Sequence, residues 1–313
     1  MLNPTLLALV GPTAVGKTAL ALRLAETLDG EIVSADSRQI YRGLDIGADK
    51  VSRAARAATP HHLLDVVAPD EILTLAQYQR LAYAAIDDIL SRGRTPLLVG
   101  GTGLYVRAVT EGLGIPEVPP DEALRAELET FVAQYGAPAL HTRLLALDAV
   151  AAARIDARNV RRVIRALEVC LITGQPISQL QAATPPPYRV VRIGLTRPRS
   201  CLYARIDARV DAMVIGGLVE ETAALLAAGY DPQLPAMTGL GYRQIASYLR
   251  GECSLDEAVA LVKQQTRRFV HQQYTWFRLD DPRITWFDLE ETTEEEVLQG
   301  LGPMSHPTSP LTL

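Results

Sequence analysis

Eight consecutive residues, Gly11-Pro12-Thr13-Ala14-Val15-Gly16-Lys17-Thr18, match the spacing GxxxxGK[ST]. Glycines in such a loop let successive backbone N–H groups converge on phosphate oxygens. Lys17 supplies a point charge, Thr18 a hydroxyl suited to Mg²⁺, and the helix that follows adds the positive end of its dipole. The spacing therefore predicts a diphosphate cradle, and leaves open what the diphosphate is attached to. Habit with this loop type completes the ligand to a nucleotide such as ATP. A carboxylate lies nearby in the pattern: Asp36 ends a short apolar run within Ser34-Ala35-Asp36-Ser37-Arg38-Gln39. At the end of a parallel strand it faces the same crevice as the loop, as a general base or as a cap of the next segment. The run at 95–100 passes into Gly101-Thr102 without the acid by which an ATPase of this type holds its metal.

Cations form a second group. Arg154, Arg158, Arg161, Arg162 and Arg165 recur at steps of four, three, one and three, which on one helix places most of them on a single face. Arginine forks suit an RNA backbone; a solvated helix face is the plainer reading. In Met237-Thr238-Gly239-Leu240-Gly241-Tyr242-Arg243 two glycines precede a ring and a guanidinium, which suits close backbone approach, base stacking and a phosphate fork, or simply a helix start. Arg209 could reach the diphosphate, or pair along its helix with Arg205 or Asp211.

The elements that position these residues follow from periodicity. Apolar runs at 6–10, 31–35, 95–100 and 190–195 read as buried parallel strands. Helical spacing follows at 17–28, 75–90, 201–228, 239–250 and 255–277, with a further helix after residue 105. Residues 114–187 show amphipathic helices only, at 121–135, 137–147 and 149–173, between the stiff punctuations Pro119-Pro120 and Pro185-Pro186-Pro187. The expected architecture is an α/β, P-loop NTPase-like core with a parallel sheet, residues 1–113 and 188–302. It carries an all-helical insertion at 114–187 and a disordered tail at 303–313. The run at 6–10 feeds straight into the glycine loop, so it reads as a first strand and not a secretion signal, and no apolar stretch approaches a membrane span. Three scattered cysteines fit a reducing cytoplasm, and the adjacent His61-His62 pair reads as structural. The net charge of −5 does not exclude RNA: six acids and no Lys or Arg follow residue 283, which leaves the preceding chain at +1.

Together the motifs GPTAVGKT, VSADSRQIY, GLDIG, PHHLLD, PLLVGGTGLY, RRVIRALEV, RIDARVDAMVIGGLVEE, TGLGYRQ and TWFR resemble the tRNA dimethylallyltransferase (tRNA isopentenyltransferase) family along nearly the whole chain. The resemblance implies transfer of a dimethylallyl group from dimethylallyl diphosphate to the exocyclic amine of the adenosine 3′ to the anticodon, with Mg²⁺. Asp36 matches the general base. Thr13, Lys17 and Thr18 match diphosphate ligands, Arg209 an arginine on the leaving group, and Thr102 a residue near the reacting centre. Asp36, Ser37, Arg38, Gln39, Thr102, Arg125, Arg161, Arg162, Val163, Ile164, Arg165, Thr238, Gly239, Leu240, Gly241, Tyr242 and Arg243 match positions that contact the tRNA. A monomeric cytoplasmic enzyme is the expectation. Two departures stand out: His271-Gln272-Gln273 replaces a usual Lys-Arg-Gln run, and Ala48-Asp49-Lys50-Val51 replaces Thr-Ala-Lys-Pro. The runner-up is a small-molecule or nucleotide kinase with Asp36 activating a hydroxyl. A P-loop RNA-binding ATPase would need the acid that residues 95–100 lack.

Overall fold

The computed structural model describes residues 4–300, so the expectation of a disordered tail at 303–313 lies outside the described residues. The chain divides into two compact units, one formed by Met1–Thr110 with Pro186–Leu313 and the other by Glu111–Pro185. No helix among the described residues is long and apolar enough to cross a membrane.

The first unit is built on six parallel strands: β1 (Thr5–Val10), β2 (Gly30–Ser34), β3 (His61–His62), β4 (Thr95–Val99), β5 (Arg189–Thr196) and β6 (Ile284–Asp288), in the order β3-β2-β4-β1-β5-β6. Its helices are α1 (Lys17–Thr27), α2 (Arg53–Ala58), α3 (Leu75–Ser91) and α4 (Gly103–Thr110). After the second unit come α9 (Arg199–Ile215), α10 (Leu218–Ala227), α11 (Tyr242–Leu249), α12 (Leu255–Trp276) and α13 (Glu294–Gly300). The period of two along β1 explains the layering. Leu6, Ala8 and Val10 join one apolar cluster with Tyr78 and Ile86 of α3, while Leu7 and Leu9 join another with Leu20 and Leu24 of α1. A strand covered on both faces reads as a continuous apolar run, and this one does. The two edge strands β3 and β6 were not expected from sequence; His-His and Ile-Thr-Trp-Phe-Asp are too short or too polar to carry that signature.

Two expected helices are interrupted. The span 201–228 is α9 and α10, broken at Gly216-Gly217 where Gly217 has φ +102°. In the second unit, 149–173 is α6 (Ala149–Arg154) and α7 (Val160–Thr173). The Asn159 side chain accepts the Arg162 amide and Asp156 accepts the Arg158 amide, so these short polar residues recapture backbone donors and start a new helix. The arginine row therefore does not lie on one helix face: Arg154 closes α6, Arg158 sits in the turn paired with Asp156, and only Arg161, Arg162 and Arg165 share α7. The rest of that unit is α5 (Glu122–Leu147), kinked at Gly136 (φ +81°), and α8 (Ile177–Leu180). Its own core holds Leu128, Leu140, Leu144, Val163, Leu167 and Ile177.

One glycine ties the sheet to the site. A Cβ on Gly100, just past β4, would overlap the backbone carbonyl of Ala35. Gly100→Ala is expected to lower stability by about 3 kcal/mol, about 10 °C in Tm, because two backbone segments must separate. Thermal unfolding checks this; a shift under about 2 °C would show that the strand ends accommodate the methyl.

Candidate active site

Because every strand runs the same way, β1, β2 and β4 end at one edge of the sheet, and each delivers a group there. β1 runs into the glycine loop. Gly11 has φ +142° and Gly16 +119°, and even Ala14 is at +63°, so the loop turns its amides inward at backbone angles that favour glycine. Gly16 precedes α1 with no side-chain capping bond, which keeps the helix N-terminus open to an anion. The Lys17 ammonium lies folded on the loop, donating to the carbonyls of Gly11 (3.0 Å) and Pro12 (2.8 Å). Burial and then the neighbouring Arg209 pull its pKa down to about 8, against the opposing pull of Asp36 and Asp49. Arg209 reaches across from α9: Nη1 donates to Thr13 Oγ1 at 3.0 Å and pairs with Asp49 Oδ2 at 2.9 Å, so it neither pairs along its own helix nor points to solvent. The Thr18 hydroxyl has no hydrogen-bond partner among the described residues. Thr13, Lys17, Thr18, Asp36, Asp49 and Arg209 line one cavity of about 350 Å³.

β2 delivers Asp36. One of its oxygens accepts the Arg38 amide at 2.8 Å, so it does cap the following turn. Its carboxylate also lines both the cradle and a second cavity of about 510 Å³ that continues past Thr102, Thr238, Arg243 and Phe269. The two readings of Asp36 are thus compatible: a capped carboxylate is a positioned one. β4 delivers Thr102, whose Oγ1 accepts the Ser37 amide at 3.0 Å and whose own amide donates to Ala35 at 3.1 Å, pinning the residues around Asp36. Gln39 links Ser34 Oγ to the carbonyls of Ala48 and Asp49.

Three holders of this geometry escaped the sequence reading. Gln273, buried on α12, accepts the Thr13 amide (2.8 Å) and donates to the Gly101 carbonyl (3.1 Å), bridging the glycine loop to the end of β4. The replaced run at 271–273 thus keeps its buried glutamine, while Gln272 reaches the second cavity and His271 turns to the Tyr203 hydroxyl (2.9 Å). Glu221 accepts the amides of Asp45 (3.0 Å), Ile46 (2.9 Å) and Gly47 (3.1 Å) and the Tyr242 hydroxyl (2.6 Å). Lys50, its side chain almost fully buried, donates to Tyr41, Asp45 and Asp65. A pattern of acid, amides and lysine scattered over 180 residues has no local spacing to betray it.

The expected RNA contacts divide. Tyr242 is buried with its ring against Gly47, so it cannot stack on a base; it positions the loop at 45–47 through Glu221. Arg38 donates to the Pro235 carbonyl beside Gly239, and Thr238 donates to the same carbonyl at 2.9 Å, which sets Arg38 and residues 238–240 together. Leu240, Gly241 and the exposed Arg243 line the second cavity, Arg243 donating to Gln265 at 2.5 Å. In the insertion, Arg161 and Arg162 are exposed on α7. Val163 and Ile164 are buried in that unit's core and offer no side chain to a ligand. Arg125 and Arg165 both close on the buried Glu168, at 2.8 and 2.5 Å, which holds that carboxyl below its usual range despite its burial.

Comparison with known proteins fits this geometry. A family model described as IPP transferase matches residues 39–280. The chain belongs to this tRNA dimethylallyltransferase family. A tRNA dimethylallyltransferase of Roseiflexus sp. (strain RS-1) is 56% identical over 87% of this chain and 90% of its own length. One from Dehalococcoides mccartyi is 46% identical over 94% and 90%. The crystal structure of the full-length tRNA isopentenylpyrophosphate transferase from Bacillus halodurans superposes with a TM-score of 0.70 at 43% identity, covering 94% of this chain and 93% of that one. A eukaryotic dimethylallyltransferase structure shares the fold, with a TM-score of 0.80 at 23% identity over 94% and 78% of the two chains. The chain is accordingly a transferase with a P-loop NTPase-like core.

Proposed function

We propose that this chain transfers the dimethylallyl group of dimethylallyl diphosphate to the exocyclic amine of the adenosine 3′ to the anticodon of tRNA. The carrying observation is that Asp36 lines both cavities, the cradle and the wider one beside it. A base in that position serves two substrates that meet, one from each side. The C–O bond of the allylic diphosphate breaks and its electron pair leaves with the diphosphate, as the C–N bond forms and the amine proton passes to Asp36. The amine lone pair is delocalised into the adenine ring, which is why a carboxylate accepting the proton matters. The departing charge is met by the amides of the glycine loop, by Lys17 and by Arg209. The Thr18 hydroxyl, which has no competing bond among the described residues, suits Mg²⁺, a hard cation that takes oxygen ligands. When bound, Mg²⁺ neutralises diphosphate charge there.

The base must leave the stacked loop to reach Asp36, and the wider cavity lined by Ser37, Arg38, Thr102, Thr238, Leu240, Gly241 and Arg243 is the proposed receiving site, with Gln39 in the adjoining cradle. Arg161 and Arg162 are proposed to meet the RNA backbone. One chain holds the whole constellation, so a monomer is the proposed state, and the free thiols of Cys170, Cys201 and Cys253 support a reducing cytoplasm as the proposed location. Incubation with unmodified tRNA and labelled dimethylallyl diphosphate is expected to place label on RNA without any need for ATP. ATP consumption with RNA unlabelled would establish the kinase reading instead.

A further inference from the structure

Two carboxylates line the cradle, Asp36 and Asp49, and Asp49 is the one paired with the arginine that faces the ligand. Its carboxylate sits 2.9 Å from Arg209, the same guanidinium that Thr13 of the glycine loop holds at 3.0 Å. A surface ion pair of this length would ordinarily mean little. Here the backbone that presents it is fastened from three sides. Glu221 accepts three consecutive amides at 45–47, Lys50 is buried against Tyr41, Asp45 and Asp65, and Gln39 donates to the Ala48 and Asp49 carbonyls at 3.2 and 3.3 Å. Asp49 itself takes φ +50°, a left-handed angle that Asp and Asn tolerate better than most residues. The loop cannot back away, so the carboxylate is aimed at Arg209 by construction. Its side chain is nonetheless 47% exposed, which leaves it a rotamer toward water.

We propose that Asp49 is a resident counter-anion: it occupies Arg209 while the cradle is empty, yields it to the diphosphate, and reclaims it as the diphosphate leaves. The inference rests on the diphosphate reading of the cradle. Carboxylate and diphosphate compete for one guanidinium and repel each other across a cavity of about 350 Å³. The competition weakens binding of the substrate's diphosphate and of the inorganic diphosphate product alike, and it acts chiefly by speeding dissociation. Asp49 is a positioning residue in this account; it takes no part in bond making.

The test is calorimetric titration of the full chain with inorganic diphosphate, once in Mg²⁺ and once in EDTA. Asp49→Asn removes the charge and keeps both the shape and the left-handed angle. It is expected to tighten binding by about tenfold in both media and to slow dissociation by a similar factor. Asp49→Glu should stay near the parent. In an Arg209→Gln background the gain from Asp49→Asn should shrink to what direct repulsion alone supplies, because the competition runs through that guanidinium. Unchanged or weaker binding in Asp49→Asn overturns the proposal; weakening confined to Mg²⁺ would make Asp49 a metal ligand, and weakening in both media would make it a support for Arg209. The titration does not involve prenyl transfer. A parent that binds diphosphate but leaves tRNA unlabelled therefore sinks the proposed function and not this inference.

Discussion

Asp36→Asn is expected to slow single-turnover transfer to tRNA by about 10²–10⁴-fold without weakening the affinity for dimethylallyl diphosphate. The amide keeps an oxygen for the Arg38 N–H that Asp36 accepts at 2.8 Å, so the turn survives and the loss reports proton acceptance alone. Asp36→Ala would remove that bond as well, at about 1 kcal/mol, and would confuse the two effects. Removing the charge also removes one of the groups that hold Lys17 protonated, so the comparison belongs below pH 7, away from the value of about 8 that Lys17 has in the parent. Binding should hold or tighten, since an anion has gone from beside the diphosphate. A rate within about fivefold of the parent would mean that Asp36 only caps the turn at 36–38, the plainer of the two readings its position in the sequence allowed.

How far the site could be read from sequence depends on whether its determinants were local. The glycine loop, the carboxylate at the end of β2 and the missing acid after β4 are local facts of spacing, and the structure brings them to one edge of the sheet. The paired readings of Arg209 were separated only by the fold, which carries it from α9 to Thr13, 196 positions away in the chain. Tyr242 misled because a ring beside glycines suits stacking as well as burial; only the distant Glu221 decides between them. The arginine row misled for a different reason. Its spacing is helical, but Asp156 and Asn159 lie within it, and their short side chains compete for the backbone and break the helix. Arg125 and Arg165 then serve Glu168, whose burial needs two guanidinium partners. Gln273 lay in a run noted for the cations it lacks, and its value is in what a neutral amide does: donate to one loop and accept from another.

Lys17→Met, similar in length and without charge, is expected to cost about 10²–10³ in transfer rate, since one of the cations facing the leaving diphosphate disappears. The same residue sets a pH dependence whose sign follows from its position. With no ligand bound, burial and Arg209 hold its pKa at about 8, far below that of a solvated lysine, and its ammonium is spent on the carbonyls of Gly11 and Pro12. A bound diphosphate raises that pKa, because an anion favours the charged form. The complex therefore binds more protons than the free enzyme at pH above about 8, and affinity must fall as pH rises through that value, by up to about tenfold per unit. Below it Lys17 is charged in both states and contributes no slope. Titration with inorganic diphosphate in two buffers of different ionisation enthalpy measures the proton uptake directly. Uptake should appear above pH 8 in the parent and be absent in Lys17→Met; affinity that is flat or rising over that range would show that Lys17 stays charged in the empty cradle. Asp49→Asn adds a second sign. Asp49 favours the charged form of Lys17, so its removal should move the onset of uptake to lower pH even as it tightens binding. Tightening with no movement of the onset would place Asp49 on Arg209 alone.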